Sequence, residues 1–401
     1  MLLLSSICLR TAAQLDSLSF YSVNTLRPED AKRLDFCIDN LNFIRDNEYK
    51  GSMVKGYTLP GIWILPKFTY QPLKNLKLEA GAYLLRYWGA NVYPNLNYSD
   101  LAVWKGEQYQ KGFHTLPFFR VQYRAHPTLD IILGHYYGRN DHKLIEPLYN
   151  PEMGLTADPE AGVQILWNVK PFSLDAWVNW ESFIFQDDNH QEAFTFGLST
   201  RFKFNKPSSP YHFYIPIQGL FQHRGGEINT EDKSRQIKTW LNAAAGFGTD
   251  ININRRILKK ANIEADYAFF SQQAGTLLPF DKGFGIQARA SVDLCRFRLI
   301  AGYWQSKDFV TIFGNPHFGC VSVIPDEDIT YDNPKMVFFK VQYAQDIAKG
   351  FSWGIHADLF NQLPVDMYNA ESGWSRQKNS PSIAVGLYLR TNFRFLLKRF
   401  Q

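Results

Sequence analysis

Apolar and polar residues alternate with a period of two along nearly the whole chain, and this pattern limits the fold more than any other feature of the sequence. On an extended strand successive side chains point to opposite faces. Phe172, Leu174, Ala176, Val178 and Trp180 therefore share one face, and Ser173, Asp175, Trp177, Asn179 and Glu181 the other. The device recurs with Phe194, Phe196, Leu198, Phe202 and Phe204 against Thr195, Ser199, Arg201 and Lys203. It returns with Phe284, Ile286, Ala288, Ala290 and Val292 against Gln287, Arg289, Ser291 and Asp293. About sixteen such segments are counted, with ends uncertain by ~2–4 residues. They lie near 41–50, 57–70, 76–88, 116–125, 129–137, 161–168, 172–185, 193–204, 211–223, 238–250, 261–271, 283–294, 296–304, 336–345, 351–360 and 382–395.

The connections carry as much information as the strands. Short links such as 71–75, 126–128, 169–171 and 346–350 alternate with long ones at 89–115, 138–160, 224–237, 305–335 and 361–381. An even strand number with short turns at one end and long loops at the other is the plan of a transmembrane barrel. A β-sandwich of this size would divide at a linker, and a propeller would repeat every four strands; the sequence does neither. The predicted fold is all-β: a transmembrane antiparallel up-and-down β-barrel of about sixteen strands.

Composition agrees. Aromatic residues make up 16 % of the 401 residues and charged residues 20 %, which excludes a disordered chain. Mean hydropathy is −0.28, and no apolar run reaches the ~18–20 residues of a spanning helix. The 43 basic residues nearly balance 38 acidic ones, so no basic stripe for nucleic acid is expected. Residues 1–14, opening MLLLSSICLRTAAQ, have the apolar core and small-residue end of a secretory signal. Residues 15–39 are expected to form a periplasmic or plugging segment, with a short helix starting at Pro28, and 40–401 the barrel. Cys37, Cys295 and Cys320 have no metal or disulfide-framework spacing, and are read as unpaired, a Cys37–Cys295 bridge being the alternative.

With the strands in place, the chain resembles the outer-membrane β-barrels of diderm bacteria, at porin size. Its last strand, IAVGLYLRTNFRF (383–395), is similar to the C-terminal strand by which such barrels are recognised for assembly, although six residues follow Phe395. The segments RDNEYKG (45–51) and NWESFIFQDDNHQEAFTFG (179–197) resemble barrels of the Bacteroidota. The resemblance implies a place in the outer membrane of a Gram-negative bacterium, reached through the periplasm. The implied partners are outer-membrane lipid and lipopolysaccharide.

A barrel of this width leaves a water-filled lumen unless loops fill it. The expected pore-lining residues are Arg120, Arg124, Asp175, Glu181, Arg201, Lys203, Glu264, Asp266, Arg289, Arg298, Lys340, His356, Asp358 and Arg390. Both signs are present, which suits passive diffusion of small polar solutes with a transverse field. Inward Tyr83, Trp177, Trp304 and Tyr388 are expected to fill space against loops, and the apolar half of 305–335 to fold into the mouth. No catalytic constellation is assigned. Ser352, His356 and Asp358 share a face, but same-face neighbours stand ~6.6 Å apart, too far for a triad. No metal ligand set and no cofactor are expected. The expected function is thus a channel and not an enzyme, with a homo-oligomer allowed. The alternatives are a barrel that binds or exports a polymer or amphiphile, and an outer-membrane hydrolase.

Overall fold

The computed structural model describes residues 26–88, 113–137, 142–182, 191–206, 208–226, 236–324 and 327–401. Residues 1–14, expected to be a secretory signal, and much of the loop 89–115 lie outside them. The wall begins with β1 (Arg33–Glu48), β2 (Tyr57–Leu73), β3 (Leu76–Tyr87), β4 (His114–His126) and β5 (Leu129–His135). It continues through β6 (Ala161–Asn168), β7 (Phe172–Ser182), β8 (Ala193–Lys203), β9 (Tyr211–Arg224), β10 (Lys238–Asn252) and β11 (Leu258–Ala274). β12 (Lys282–Leu294), β13 (Phe297–Lys307), β15 (Lys335–Ala348), β16 (Phe351–Gln362) and β19 (Ser380–Arg399) complete it. The remaining strands, β14 (Ile329–Asp332), β17 (Val365–Asn369) and β18 (Gly373–Gln377), form a separate small sheet.

Sixteen strands close into one antiparallel barrel through β1 and β19, with Arg33 opposite Arg399 and Glu48 opposite Ile383. The predicted architecture and strand number are those observed. Alternation is the cause: Ile383, Val385, Leu387 and Leu389 are 42–48 % exposed on the outer face, while Ala384 and Tyr388 between them are 0 and 3 % exposed. The tight turns need left-handed backbone. Between β15 and β16 this falls to Gly350, at φ 79°, where a Cβ would lie 2.6 Å from the carbonyl oxygen of Asn392.

One sequence expectation for the wall is corrected. The wall opens at Arg33 and not at residue 40, so only a 3-10 turn at Pro28–Asp30 precedes it among the described residues. β1 also departs from the other strands in the polarity of its faces. On β1 the inward residues include Leu41 and Phe43, 0 and 5 % exposed, while Asn40 and Asn42 share the outward face with Ile44. Asn40 Nδ2 donates to the carbonyl of Trp63 (2.8 Å) and Asn42 Nδ2 to Asn40 Oδ1 (2.7 Å), so the outward amides pair with each other and the backbone. Of the cysteines, Cys37 and Cys320 carry free thiols, so no Cys37–Cys295 bridge forms, whereas Cys295 is disulfide-bonded.

The inward apolar residues seat the long loops. Residues 308–324 place Phe309, Ile312 and Phe318, 0–1 % exposed, against Trp304, Phe338 and Phe360 of the wall, in the cluster predicted for this loop. Each such side chain contributes roughly 1.5–3 kcal/mol by burial. Asn242 of β10 holds the loop from the wall: its Nδ2 donates to the Val310 carbonyl (2.9 Å) and its Oδ1 accepts from Ile312 N–H (2.8 Å). The 142–160 loop lies beside it, with Asn150 N–H donating to the Phe313 carbonyl (2.7 Å). Its one helical turn, α1 (Met153–Thr156), presses Leu155 against inward Leu59, Trp63, Tyr83 and Leu85. Trp304 Nε1–H donates to the Phe318 carbonyl (3.0 Å) and Trp177 stacks on His142, so both tryptophans serve the packing role expected of them.

Candidate active site at the outer end of the barrel

Take the end bearing the long connections as the outer one. There the two inserted loops meet the upper ends of β1, β2, β15, β16 and β19. The wall contributes Arg45 and Asn47 from β1, Tyr57 from β2, Lys340 from β15, His356 and Asp358 from β16, and Tyr388 from β19. The loops contribute Glu146 and Glu152, the latter just before α1, and Asn315 and His317. Lys340 and Asp358 are directly opposed across β15 and β16, and His356 faces Gly386 across β16 and β19. A Cβ at Gly386 would fall 2.5 Å from both His356 and the Tyr388 hydroxyl, so only glycine leaves room for the imidazole to stack on Tyr388.

Arg45 is the centre of one half of this chamber. Its Nε donates to Asn47 Oδ1 (2.8 Å) and pairs with Glu152 Oε2 (2.7 Å), and its Nη2 lies 3.7 Å from Asp358. Glu152 also accepts from Asn47 Nδ2 (3.0 Å) and the Tyr57 hydroxyl. The loop carboxylate is therefore held to the wall by a buried guanidinium, an amide and a phenol.

The other half is a directional chain. Lys340 Nζ lies 2.5 Å from Glu146 Oε2, and Glu146 Oε1 accepts from Asn315 Nδ2 at 2.8 Å. Because a carboxylate only accepts, the Asn315 amide must turn its oxygen the other way, toward His317 Nδ1 at 3.0 Å. Nδ1 then carries the proton, and Nε2 keeps its lone pair. Nε2 is buried and has no hydrogen-bond partner among the described residues. The ring is fixed by stacking on Phe360 (centroids 4.7 Å) and by the edge of Tyr49 (4.5 Å). Burial, together with the cations of Lys340 and Arg45, lowers the His317 pKa to about 3, so the imidazole is neutral. A neutral imidazole with an oriented tautomer and a free lone pair has the geometry of a general base, beside two cations that are shared among Glu146, Glu152 and Asp358.

A second histidine, His142, pins the 142–160 loop. His142 Nδ1 lies 2.8 Å from Asp175 of β7 and Nε2 2.7 Å from Glu160, while the ring stacks on Trp177 at 3.6 Å. Burial alone would lower its pKa; Asp175 and Glu160 outweigh it and raise the pKa to about 10. A raised histidine pKa gives stability that is full below about 6.5, declines above it, and is gone above 10. Proteolysis of the 142–160 loop is therefore expected to rise steadily as pH is taken from 7 to above 10. In His142→Gln it should be fast at every pH; an unchanged pH profile in that variant would contradict the clamp.

Of the charged residues read from the sequence, only Lys340, His356 and Asp358 meet in this chamber. His356 Nε2 stands 3.7 Å from Asp358, closer than the strand spacing of ~6.6 Å suggested because the side chains lean together, though beyond hydrogen-bond length. Most of the others form separate contacts around the inner wall. Arg120 pairs with Glu79 (2.7 Å) and donates to the His135 carbonyl (2.6 Å), and Arg124 pairs with Asp130 (2.7 Å). Glu181 accepts from Thr195 and Gln222, the latter at 2.9 Å. Arg289 and Tyr214 hold Glu264, and Arg201 lies over the Tyr214 ring. Asp266 beside them is buried with no hydrogen bond to either carboxylate oxygen among the described residues. Arg298 pairs with Asp293 (2.8 Å) and Arg390 with Asp39 (2.7 Å), while Lys203 is exposed near the inner end.

Arg45, Asn47, Glu146, Glu152, Asn315 and His317 escaped the sequence reading. The available signal was the polar run RDNEYKG at the end of a strand, noted only for its resemblance.

The sequence pattern of the lipid A 3'-O-deacylase-type family matches residues 26–400, from before the first wall strand to the penultimate residue. The chain belongs to that family. This overturns the expectation that the protein is not an enzyme, because the family is defined by an enzymatic activity. The reason for the error is physical: the candidate residues are spread over five wall strands and two inserted loops, with no local spacing to mark them. Among curated proteins none matches the chain significantly. Among solved structures, the chain is similar to the outer membrane protein OprD of Pseudomonas aeruginosa at 10 % identity and TM-score 0.48, covering 94 % of this chain and 99 % of that one. It is also similar to OccAB1 of Acinetobacter baumannii (9 %, TM-score 0.46, 95 % and 100 % covered). A third is OmpT, an outer membrane protein of Vibrio cholerae (11 %, TM-score 0.45, 89 % and 97 % covered).

Proposed function

We propose that this barrel hydrolyses an acyl ester of a lipid A-type glycolipid in the outer leaflet, with His317 as general base. The Lys340–Glu146–Asn315–His317 chain carries the assignment, because it leaves Nε2 of a buried, neutral imidazole as an unused acceptor. Nε2 takes a proton from water as the water oxygen attacks the ester carbonyl. The negative charge that gathers on the carbonyl oxygen is offset in part by Lys340 and Arg45, whose charge is shared with Glu146, Glu152 and Asp358. As the tetrahedral species collapses, the Nε2 proton passes to the departing alkoxide, giving a free fatty acid and an alcohol. His317 is 5 % exposed, so the loops open to admit the ester and must reseat on the wall before the Lys340–Glu146–Asn315–His317 chain acts on it.

The charges first read as a diffusion path are engaged largely in ion pairs, and inserted loops pack into the lumen, which favours hydrolysis over free passage. Titration of free fatty acid from lipid A in mixed micelles with purified protein is the test, run beside planar-bilayer conductance. Acid release with a closed bilayer trace is expected. Steady salt-dependent openings with no acid release would return the barrel to the channel reading.

A further inference from the structure

The β17–β18 hairpin has two unlike faces. Its inner face packs Val365, 4 % exposed, and Met367 against Met53, Val54, Ile329 and Tyr331, which anchors the small sheet over the β1–β2 connection at the outer end. On its outer face Tyr368 lies directly opposite Trp374, and Asp366 directly opposite Arg376. Trp374 is 67 % exposed and Tyr368 41 %. Their ring centroids are 5.5 Å apart with planes at 55°, so they form an open aromatic corner. Arg376 Nη1 contacts both Asp366 oxygens, at 3.0 and 3.3 Å, and the pair is exposed beside the rings. The turn is ordered by Asn369 Oδ1, which accepts from the backbone N–H groups of Glu371 (2.9 Å) and Ser372 (3.0 Å).

Folding does not account for this face, since the hairpin is seated by the other one. Insertion into hydrocarbon is opposed by Asp366, Arg376 and Glu371 around the rings. A protein partner is opposed by size, because two rings fall well short of the ~800 Å² a side of a specific interface. Two adjoining aromatic planes edged by a carboxylate and a guanidinium fit one or two sugar rings. The C–H face of a sugar is apolar and stacks on an indole, while its rim of hydroxyls both donates and accepts hydrogen bonds.

We propose that the outer face of the β17–β18 hairpin binds the glycan of the lipid substrate, through Trp374 and Tyr368 stacking and Asp366 and Arg376 hydrogen bonding. The choice of this ligand rests on the glycolipid reading above. The test uses alkali-deacylated lipopolysaccharide, which has glycan but no ester to cleave, titrated calorimetrically into the full-length protein. Binding is expected, weakened about tenfold or more in Trp374→Ala and further in Trp374→Ala/Tyr368→Ala. With intact lipopolysaccharide, Trp374→Ala should raise KM about tenfold at unchanged kcat, leaving cleavage of a glycan-free ester as in the parent. Equal affinity in the double variant would overturn the proposal. So would equally tight binding of glycan-free phospholipid vesicles, or self-association abolished by Trp374→Ala. Glycan binding without any ester cleavage would uphold this site and remove the hydrolase reading instead.

Discussion

Exchanging His317 for glutamine is expected to lower ester hydrolysis by about 10²- to 10⁴-fold, the usual contribution of a positioned general base. Glutamine keeps a polar side chain of similar reach but cannot take up a proton. The barrel should still form, because His317 belongs to an inserted loop and not to a wall strand. Folded protein measured by its spectrum and heat-modifiable mobility, together with lost activity, is therefore the expected combination. Asn315→Leu should lose a smaller part of the rate, since it frees the tautomer without removing the base. Because burial and the neighbouring cations lower the His317 pKa to about 3, the acid limb of the pH–rate profile should fall well below the ordinary histidine range. In Lys340→Met one of those cations is gone, and the limb should move upward. Full activity in His317→Gln would move the chemistry elsewhere in the barrel.

The second large effect is on stability. Arg45→Ala removes the guanidinium that pairs with Glu152 at 2.7 Å and lies 3.7 Å from Asp358, with side chains 8 % exposed or less. Two buried carboxylates then lose a cation, and the loss is expected to be about 3–5 kcal/mol, measured by denaturant unfolding in detergent. Asn47 and Tyr57 still donate to Glu152, which places the value toward the lower end. Adding Glu152→Gln should restore much of it, since the uncompensated charge, more than the missing contact, is what costs. A single variant within about 1 kcal/mol of the parent would mean that the chamber is wet and the ion pair weak.

Much of the barrel was legible because one rule, apolar and polar residues alternating with period two, governs most wall strands. β7 and β12 were read with the correct faces since each carries apolar residues outward and polar ones inward. β1 broke the rule. Leu41 and Phe43 turn inward to meet Leu59 and Trp63, and the outward amides of Asn40 and Asn42 pair locally, so the strand start was placed too late. The small sheet was hidden for a different reason. Val365 and Gly373–Gln377 follow no long periodic run, and their partners Met53 and Ile329 lie hundreds of residues away or in another loop. The chamber shows the limit most clearly. Lys340, His356 and Asp358 were visible as inward charges, but the Asn315 and Glu146 that give His317 its tautomer are 169 residues apart in the chain. No spacing along a sequence encodes that contact; it exists because two loops enter one barrel.

The most direct measurement is the mass of the lipid itself. Lipid A is incubated with the purified parent protein and with His317→Gln, and both products are read by mass spectrometry. The account predicts that the parent converts lipid A to species lighter by one acyl chain, with the matching free fatty acid, and that the variant leaves it intact. Unchanged lipid with the folded parent, or equal deacylation by both proteins, would contradict it.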